Sequence, residues 1–278
     1  MLKQRVITGV ILAVVVALAI FALPLGWFAG FISLVLIAAL WEWSDLAGMR
    51  PLAARVAYCA LGLVLMLLLG WGSAVWSELP RQRVVGEVLV LAAIWWALAL
   101  VVVATYPASS GVWAAKWRRG LMGLLTLLPT WLAFVFLRGH ERGDWLLLFV
   151  IALVAAADIG AYFTGTRFGR HKLAPEVSPG KTWEGFAGGL VASVLLALIV
   201  WLAVWHARFG LLEFLGVTAL TALVSVLGDL LESMLKRQRG VKDSSNLLPG
   251  HGGVMDRLDS LSAAAPIFAL GLLLMQAR

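Results

Sequence analysis

The chain has 278 residues, of which 62% are hydrophobic and only 13% charged, with a mean hydropathy of +0.95. Such a balance excludes a soluble globular domain. Lysine and arginine number 22 against 15 acidic residues, a formal net charge of +7, and the single cysteine, Cys59, excludes an intrachain disulfide framework.

An apolar run of about 18 residues crosses roughly 30 Å of hydrocarbon as a helix. Such runs predict spans at 6–23, 27–41, 52–71, 84–105, 121–137, 144–163, 186–205, 211–231 and 261–275. The second is short enough to be re-entrant. The runs are apolar on every face, which excludes the alternating strands of an outer-membrane barrel. The fold expected is all-α, a polytopic integral membrane bundle of about nine transmembrane helices. It forms one domain, with residues 1–140 supplying N-terminal helices and 141–278 the catalytic helices and loops.

The first run follows Lys3 and Arg5. It is long for a signal-peptide core and no small-x-small cleavage site follows, so it reads as a retained anchor. Nine spans place sixteen of the 22 cations on the N-terminal side; the other side receives Arg81, Arg83, Arg138, Arg142, Arg208 and Arg278. Positive residues stay inside, so the N-terminus is expected in the cytoplasm. The basic balance is accounted for by topology and anionic headgroups; it calls for no nucleic acid, and a homodimer is left open.

The first five spans offer little chemistry. Trp41-Glu42-Trp43-Ser44-Asp45 stands at a helix end beside an aromatic belt and reads as structural or interfacial, and Trp71, Trp76, Trp113 and Trp117 read as interface anchors. Cys59 reads as a small core residue.

Asp158 lies deep in the sixth apolar run. A carboxylate there needs a partner or a watery cavity. Tyr162, one turn on, shares its helix face, so a buried Asp–Tyr or helix–helix hydrogen bond competes with a site role. Gly160, Ala161 and Gly165 allow close approach of another helix.

Next comes Ser178-Pro-Gly-Lys181-Thr182-Trp-Glu184-Gly185. Pro179 and Gly180 make a turn, and the helix after them presents amides and partial positive charge to an anion. Lys181 and Thr182 add an ammonium and a hydroxyl. A P-loop is excluded, because Pro175 stands where its first glycine belongs and no strand is expected before it. A capped helix start explains part of the same pattern.

The densest polar stretch follows the eighth span. Its 27 residues from Ser233 to Asp259 hold eight charges: Lys236, Arg237, Arg239, Lys242, Asp243, Asp256, Arg257 and Asp259. Asp229, Ser233 and Lys236 share one helix face just upstream. Pro249-Gly-His251-Gly-Gly253 makes a tight turn whose bare backbone can approach a ligand. Asp229, Asp256 and Asp259 at apposed helix ends suit Mg²⁺, which keeps waters and substrate phosphates in its shell. Zinc is excluded, because no second spaced histidine or cysteine accompanies His251. His251 reads either as a turn histidine bonding carbonyls or as a donor to phosphate.

These residues resemble the phosphatidate cytidylyltransferase (CDP-diacylglycerol synthase) family. Its pattern of Ser, Lys-Arg, Lys-Asp, His-Gly-Gly and Asp-Arg-x-Asp stands here as Ser233, Lys236-Arg237, Lys242-Asp243, His251-Gly252-Gly253 and Asp256-Arg257-Leu258-Asp259. Ser178–Gly185 resembles a second motif, and Gly228-Asp229 an upstream acidic site. The resemblance is strong over about 155–265. It implies a bacterial inner-membrane enzyme with its site facing the cytoplasm. It also implies attack of the phosphatidate phosphate on the α-phosphorus of CTP, with release of pyrophosphate. Catalytic roles are implied for Asp229, Lys242, Asp243, Asp256 and Asp259, with Mg²⁺ on Asp229 and Asp256 and K⁺ as a second cation. Substrate contacts are implied for Ser178, Lys181, Thr182, Ser233, Lys236, Arg237, His251, Gly252, Gly253 and Arg257. Two alternatives stand beside it. One is another membrane phosphotransferase acting on a lipid phosphate. The other is an ion-coupled transporter with Asp158, Glu184 and Asp229 as a relay.

Overall fold

A computed structural model describes residues 2–77, 80–206 and 208–276. Arg278 and the side chain of Lys3, both counted above, lie outside what is described. Nine helices among these residues are long and apolar enough to cross a membrane, and the chain is a polytopic all-α membrane protein. In order they are α1 (Leu2–Ala22), α2 (Leu25–Leu46), α3 (Leu52–Ser73), α4 (Gln82–Ala104), α6 (Lys116–Arg138), α7 (Gly143–Phe168), α8 (Trp183–Val200, prolonged by a π-turn over Trp201–Trp205), α9 (Leu211–Arg239) and α10 (Met255–Gln276). A single turn, α5 (Ser110–Trp113), precedes α6.

Four expectations are corrected. The second segment is a 22-residue helix long enough to span, because it starts directly after Pro24 and continues through Glu42, Ser44 and Asp45. A strand, β1 (Lys172–Ala174), does precede the Ser178 motif, and the motif is itself a strand, β2 (Ser178–Thr182); the two form an antiparallel hairpin. Pro179 hid the second strand, since proline is tolerated only at a sheet edge, which a two-stranded ribbon supplies. Finally, Trp113 is 3% exposed, stacked on Tyr106 rather than anchored at an interface. Cys59 is half-buried between α2 and α3 rather than in the core.

The core is built around α6, whose residues 130–137 are buried without a break, and around α10 beside it. Polar groups at this depth find no water, so neighbouring helices satisfy them. Trp131 donates to Ser33 Oγ at 2.8 Å, Trp95 to Thr126 Oγ1 at 3.1 Å, and Thr130 to the Ser262 carbonyl at 2.9 Å. Small residues bring α7 and α8 to backbone distance: a Cβ on Gly160 would stand 2.7 Å from the Gly188 carbonyl oxygen, and one on Gly189 2.6 Å from that of Ala157.

The basic loops converge on one end of the bundle. Arg239 pairs with Asp45 at 3.2 Å, Trp43 donates to the Arg119 carbonyl at 2.8 Å, Arg237 donates to the Val177 carbonyl at 3.1 Å, and Gly250 lies against Arg5. Arg208–Glu141, at 3.2 Å, marks the other end.

Gly189→Val is expected to destabilise the bundle by about 1–3 kcal/mol through overpacking of α7 on α8. Gly216→Ala faces open space and is expected to be neutral or slightly stabilising. Reversible unfolding in bicelles compares the two.

Candidate active site

Three structural units carry the polar residues to the same end. The first is the hairpin. Val177 is buried and Arg237 holds its carbonyl, while Glu184 accepts from the Arg170 amide at 3.0 Å and from His171 Nδ1 at 2.6 Å, fixing the approach to β1. Glu184 therefore serves the hairpin base and faces no relay. Thr182 caps α8, accepting from the Gly185 amide at 3.1 Å. Ser178 pairs with Ala174 near the hairpin turn. Lys181 alone projects from this motif to a carboxylate: its Nζ lies 2.7 Å from Asp229 Oδ2.

The second unit is the α9–α10 pair. Gly228 lies so close to the Asp259 carbonyl that a Cβ would collide with it, and Ala263 would be 3.0 Å away. That contact sets Asp229, Glu232, Ser233 and Lys236 against Asp256 and Asp259. Ser233 donates to Asp229 Oδ1 at 3.0 Å. Lys236 turns from Asp229 and pairs with Asp256 at 2.7 Å and Glu232 at 3.1 Å. Glu232 is fully buried, and its other oxygen has no partner among the described residues.

The third unit is the loop from Gly240 to Val254. Gly240 ends α9 in the left-handed region at φ 75°, and the turn closes through the Leu248 and Gly252 pair, with Gly250 and Gly252 also at positive φ. Asp256 organises it. Its Oδ2 accepts from the Ser244 amide at 2.9 Å, the Ser244 hydroxyl at 2.9 Å and the Gly253 amide at 2.8 Å. Gly253 is packed on Ser244 and Glu42, so it closes the loop rather than facing a ligand. Among the described residues the His251 ring bonds no carbonyl and its Nδ1 is buried without a partner, while its backbone amide donates to the Leu248 carbonyl.

These units border three cavities. A polar cleft of about 490 Å³ is lined by Arg5, Lys242, Asp243, His251, Gly252 and Arg257. A cavity of about 270 Å³ between α7, α8 and α9 is lined by Asp158, Tyr162, Lys181 and Thr182 among apolar residues. Asp158 accepts no hydrogen bond there, from Tyr162 or any other described residue, and stands in the field of Asp229, Lys181 and Arg257. An apolar cavity of about 520 Å³ shares Leu173, Phe186, Leu223 and Val226 with the second, and continues it under the hairpin toward α4.

Sequence reasoning placed Asp229, Lys181, Ser233, Lys236, Asp256, Asp259, Lys242, Asp243, His251, Gly252 and Arg257 in these units, and each lies there. It missed Glu42, which accepts from Ser244, Ser245 and Val254 of the loop and from Met255 at the start of α10, and it passed over Glu232. A carboxylate in an apolar helix was the available signal in both cases. Glu42 was discounted because tryptophans flank it.

The chain matches the cytidylyltransferase family over residues 3–275. It is 51% identical to phosphatidate cytidylyltransferase of Pseudomonas aeruginosa over 97% of this chain and 96% of that protein. The protein of the same name from Haemophilus influenzae is 40% identical, covering 97% and 98%, and that of Brucella suis 34%, covering 97% and 92%.

Thr182→Ala removes the α8 cap and is expected to cost about 1 kcal/mol of stability. Thermal unfolding in detergent reads the loss, and Thr182→Ser should recover most of it.

Proposed function

Because the chain belongs to the cytidylyltransferase family, we propose that it transfers the cytidylyl group of CTP to phosphatidate, giving CDP-diacylglycerol and pyrophosphate for phospholipid synthesis. One observation carries the assignment of substrates to places. A polar basic cleft in the loop and a cavity that carries Lys181 and runs on into apolar space are joined to one carboxylate network, through Gly252 against Asp256 and Lys181 on Asp229. CTP is assigned to the cleft, with Lys242, His251 and Arg257 on its phosphates. The phosphatidate headgroup is assigned to Lys181 and its acyl chains to the apolar cavity beneath the hairpin. Arg257 lines the cleft and its charge acts on Asp158 in the other cavity, which supports assigning it to the phosphates.

The chemistry needs no activated side chain. A phosphatidate oxygen, already an anion, forms the bond to the α-phosphorus, the bond from that phosphorus to the bridging oxygen breaks, and pyrophosphate leaves with the electron pair. What the protein supplies is alignment of two anions and cations fixed in advance for the leaving charge. Lys181, Lys242 and Arg257 do this directly. Lys236, Ser244 and the Gly253 amide hold Asp256 in place.

The residues fit a divalent cation. Asp229, Glu232, Asp256 and Asp259 face only Lys181 and Lys236 within the network, two carboxyl groups more than ammonium groups, and one Glu232 oxygen is unpartnered among the described residues. No three carboxylate, histidine or cysteine side chains among the described residues are spaced to hold a metal alone, which suits an ion that takes one or two carboxylates and completes its shell with phosphates. Asp229 and Asp256 would hold Mg²⁺, with Asp259 beside Asp229 and K⁺ as a second cation. When bound, Mg²⁺ neutralises and aligns the phosphates. The N-terminus and the site are assigned to the cytoplasmic face of the inner membrane, where the positive-inside bias puts the converging loops and where CTP is available.

Purified protein given CTP, phosphatidate and Mg²⁺ is expected to form CDP-diacylglycerol and pyrophosphate, and a chelator to abolish both. Equal turnover with a sugar nucleotide would overturn the assignment. Asp229→Asn and Asp256→Asn are each expected to reduce kcat by about a hundredfold or more with the protein still folded in the membrane, and His251→Ala to reduce turnover without abolishing it. A reporter fused before residue 2 should be active only on the cytoplasmic side.

A further inference from the structure

The site loop is fastened to the other half of the molecule by one side chain. Glu42 lies on the last turns of α2, is 2% exposed, and sits about 200 positions from the loop in sequence. Its Oε2 accepts from the Ser244 hydroxyl at 2.9 Å and the Met255 amide at 2.7 Å. Its Oε1 accepts from the Ser245 hydroxyl at 2.6 Å and the Val254 amide at 3.0 Å. One carboxylate thus clamps both ends of the segment that carries Asn246, His251 and Gly252 into the polar cleft. The two amides begin α10, where no helical carbonyl is available to them, so Glu42 acts as an end cap supplied from another helix. Glu42 itself lines none of the three cavities described above.

The clamp also reaches the carboxylate network. The Ser244 hydroxyl lies 2.9 Å from Glu42 Oε2 and 2.9 Å from Asp256 Oδ2, and its one proton serves one of them at a time. Asp256 in turn holds Lys236 at 2.7 Å. We infer that Glu42 is a positioning residue for the nucleotide cleft: it fixes the loop so that the CTP contacts are preformed, and it does so without acting on the lipid cavity. The inference rests on the assignment of CTP to the cleft.

The geometry separates this role from a merely structural one. Loss of fold lowers the active fraction and so kcat, leaving both KM values unchanged. Loss of loop positioning raises KM for CTP and leaves KM for phosphatidate, whose cavity Glu42 does not touch. Glu42→Gln keeps the size but turns a donor toward two donors, leaving at least one buried N–H or O–H without an acceptor; that corresponds to about a tenfold or greater rise in KM for CTP. Ser245→Ala removes one of the four donors and keeps the carboxylate in place, so it tests the clamp should Glu42→Gln fail to fold; a rise of about twofold to fivefold is expected. Both are measured on the full chain in detergent or nanodiscs, with CTP binding at equilibrium alongside turnover. A selective rise in the CTP constants for Ser245→Ala and for any folded Glu42→Gln supports the inference. An unchanged KM for CTP in folded variants, or equal changes in both KM values, overturns it. Failure of the unmodified protein to use CTP would instead sink the functional assignment, so the two failures are distinguishable.

Discussion

Helices α9 and α10 touch at Gly228, and that contact makes the rest of the site necessary. Backbones so close bring Asp229 and Glu232 on one helix against Asp256 and Asp259 on the other. Four carboxylates in partly buried surroundings repel one another and lose hydration. Each must be met by a donor, and the structure supplies donors from three directions. Lys236 comes from within the pair, Lys181 from a hairpin hung on α7 and α8, and amides and hydroxyls from the loop that joins the two helices. The hairpin and the loop each supply donors to this network.

The same requirement ties the two halves of the chain together. α2 contributes Glu42 to the loop and Asp45 to Arg239, while α1 lays Arg5 and Gly9 over Gly250 and His251. A division into supporting N-terminal helices and catalytic C-terminal ones describes where the chemistry-bearing residues lie in sequence. It does not describe what holds them, since the loop's capping acceptor comes from the first fifty residues.

Most of the fold was legible in the sequence because the bilayer imposes a simple rule: a helix must be apolar for about twenty residues. Nine segments were read by it, the second as a short one, and all nine are helices long enough to span among the described residues. Helix ends were less legible, because α9 and α10 run on as Leu211–Arg239 and from Met255, where charged residues pair with each other rather than with water. The hairpin was missed because its sequence is short, polar and proline-bearing, and its strands owe their form to Val177, Arg237 and Glu184 around them. Within the site, residue identities were legible from spacing, but partnerships were not. Lys236 was placed on the face of Asp229, yet it belongs to Asp256, and Lys181 from another motif takes Asp229. Spacing along one helix says nothing of which neighbouring element completes a pair.

That last pairing bears on how a lipid is chosen. Lys181 is joined to Asp229 at 2.7 Å, both about a quarter to a third exposed, so under the proposed assignment of the headgroup to Lys181 the headgroup would compete with a carboxylate rather than meet a bare cation. Displacement compares two attractions, and the pull on an ammonium grows with the charge of the anion. A phosphomonoester can present close to two negative charges at neutral pH, whereas the phosphodiesters that make up the surrounding bilayer present one, shared over two oxygens. At the proposed site a monoanion would replace Asp229 with equal charge, whereas a dianion would bring more. On that assignment, a single ion pair beside the cavity would act as a threshold that favours a phosphomonoester headgroup over a phosphodiester.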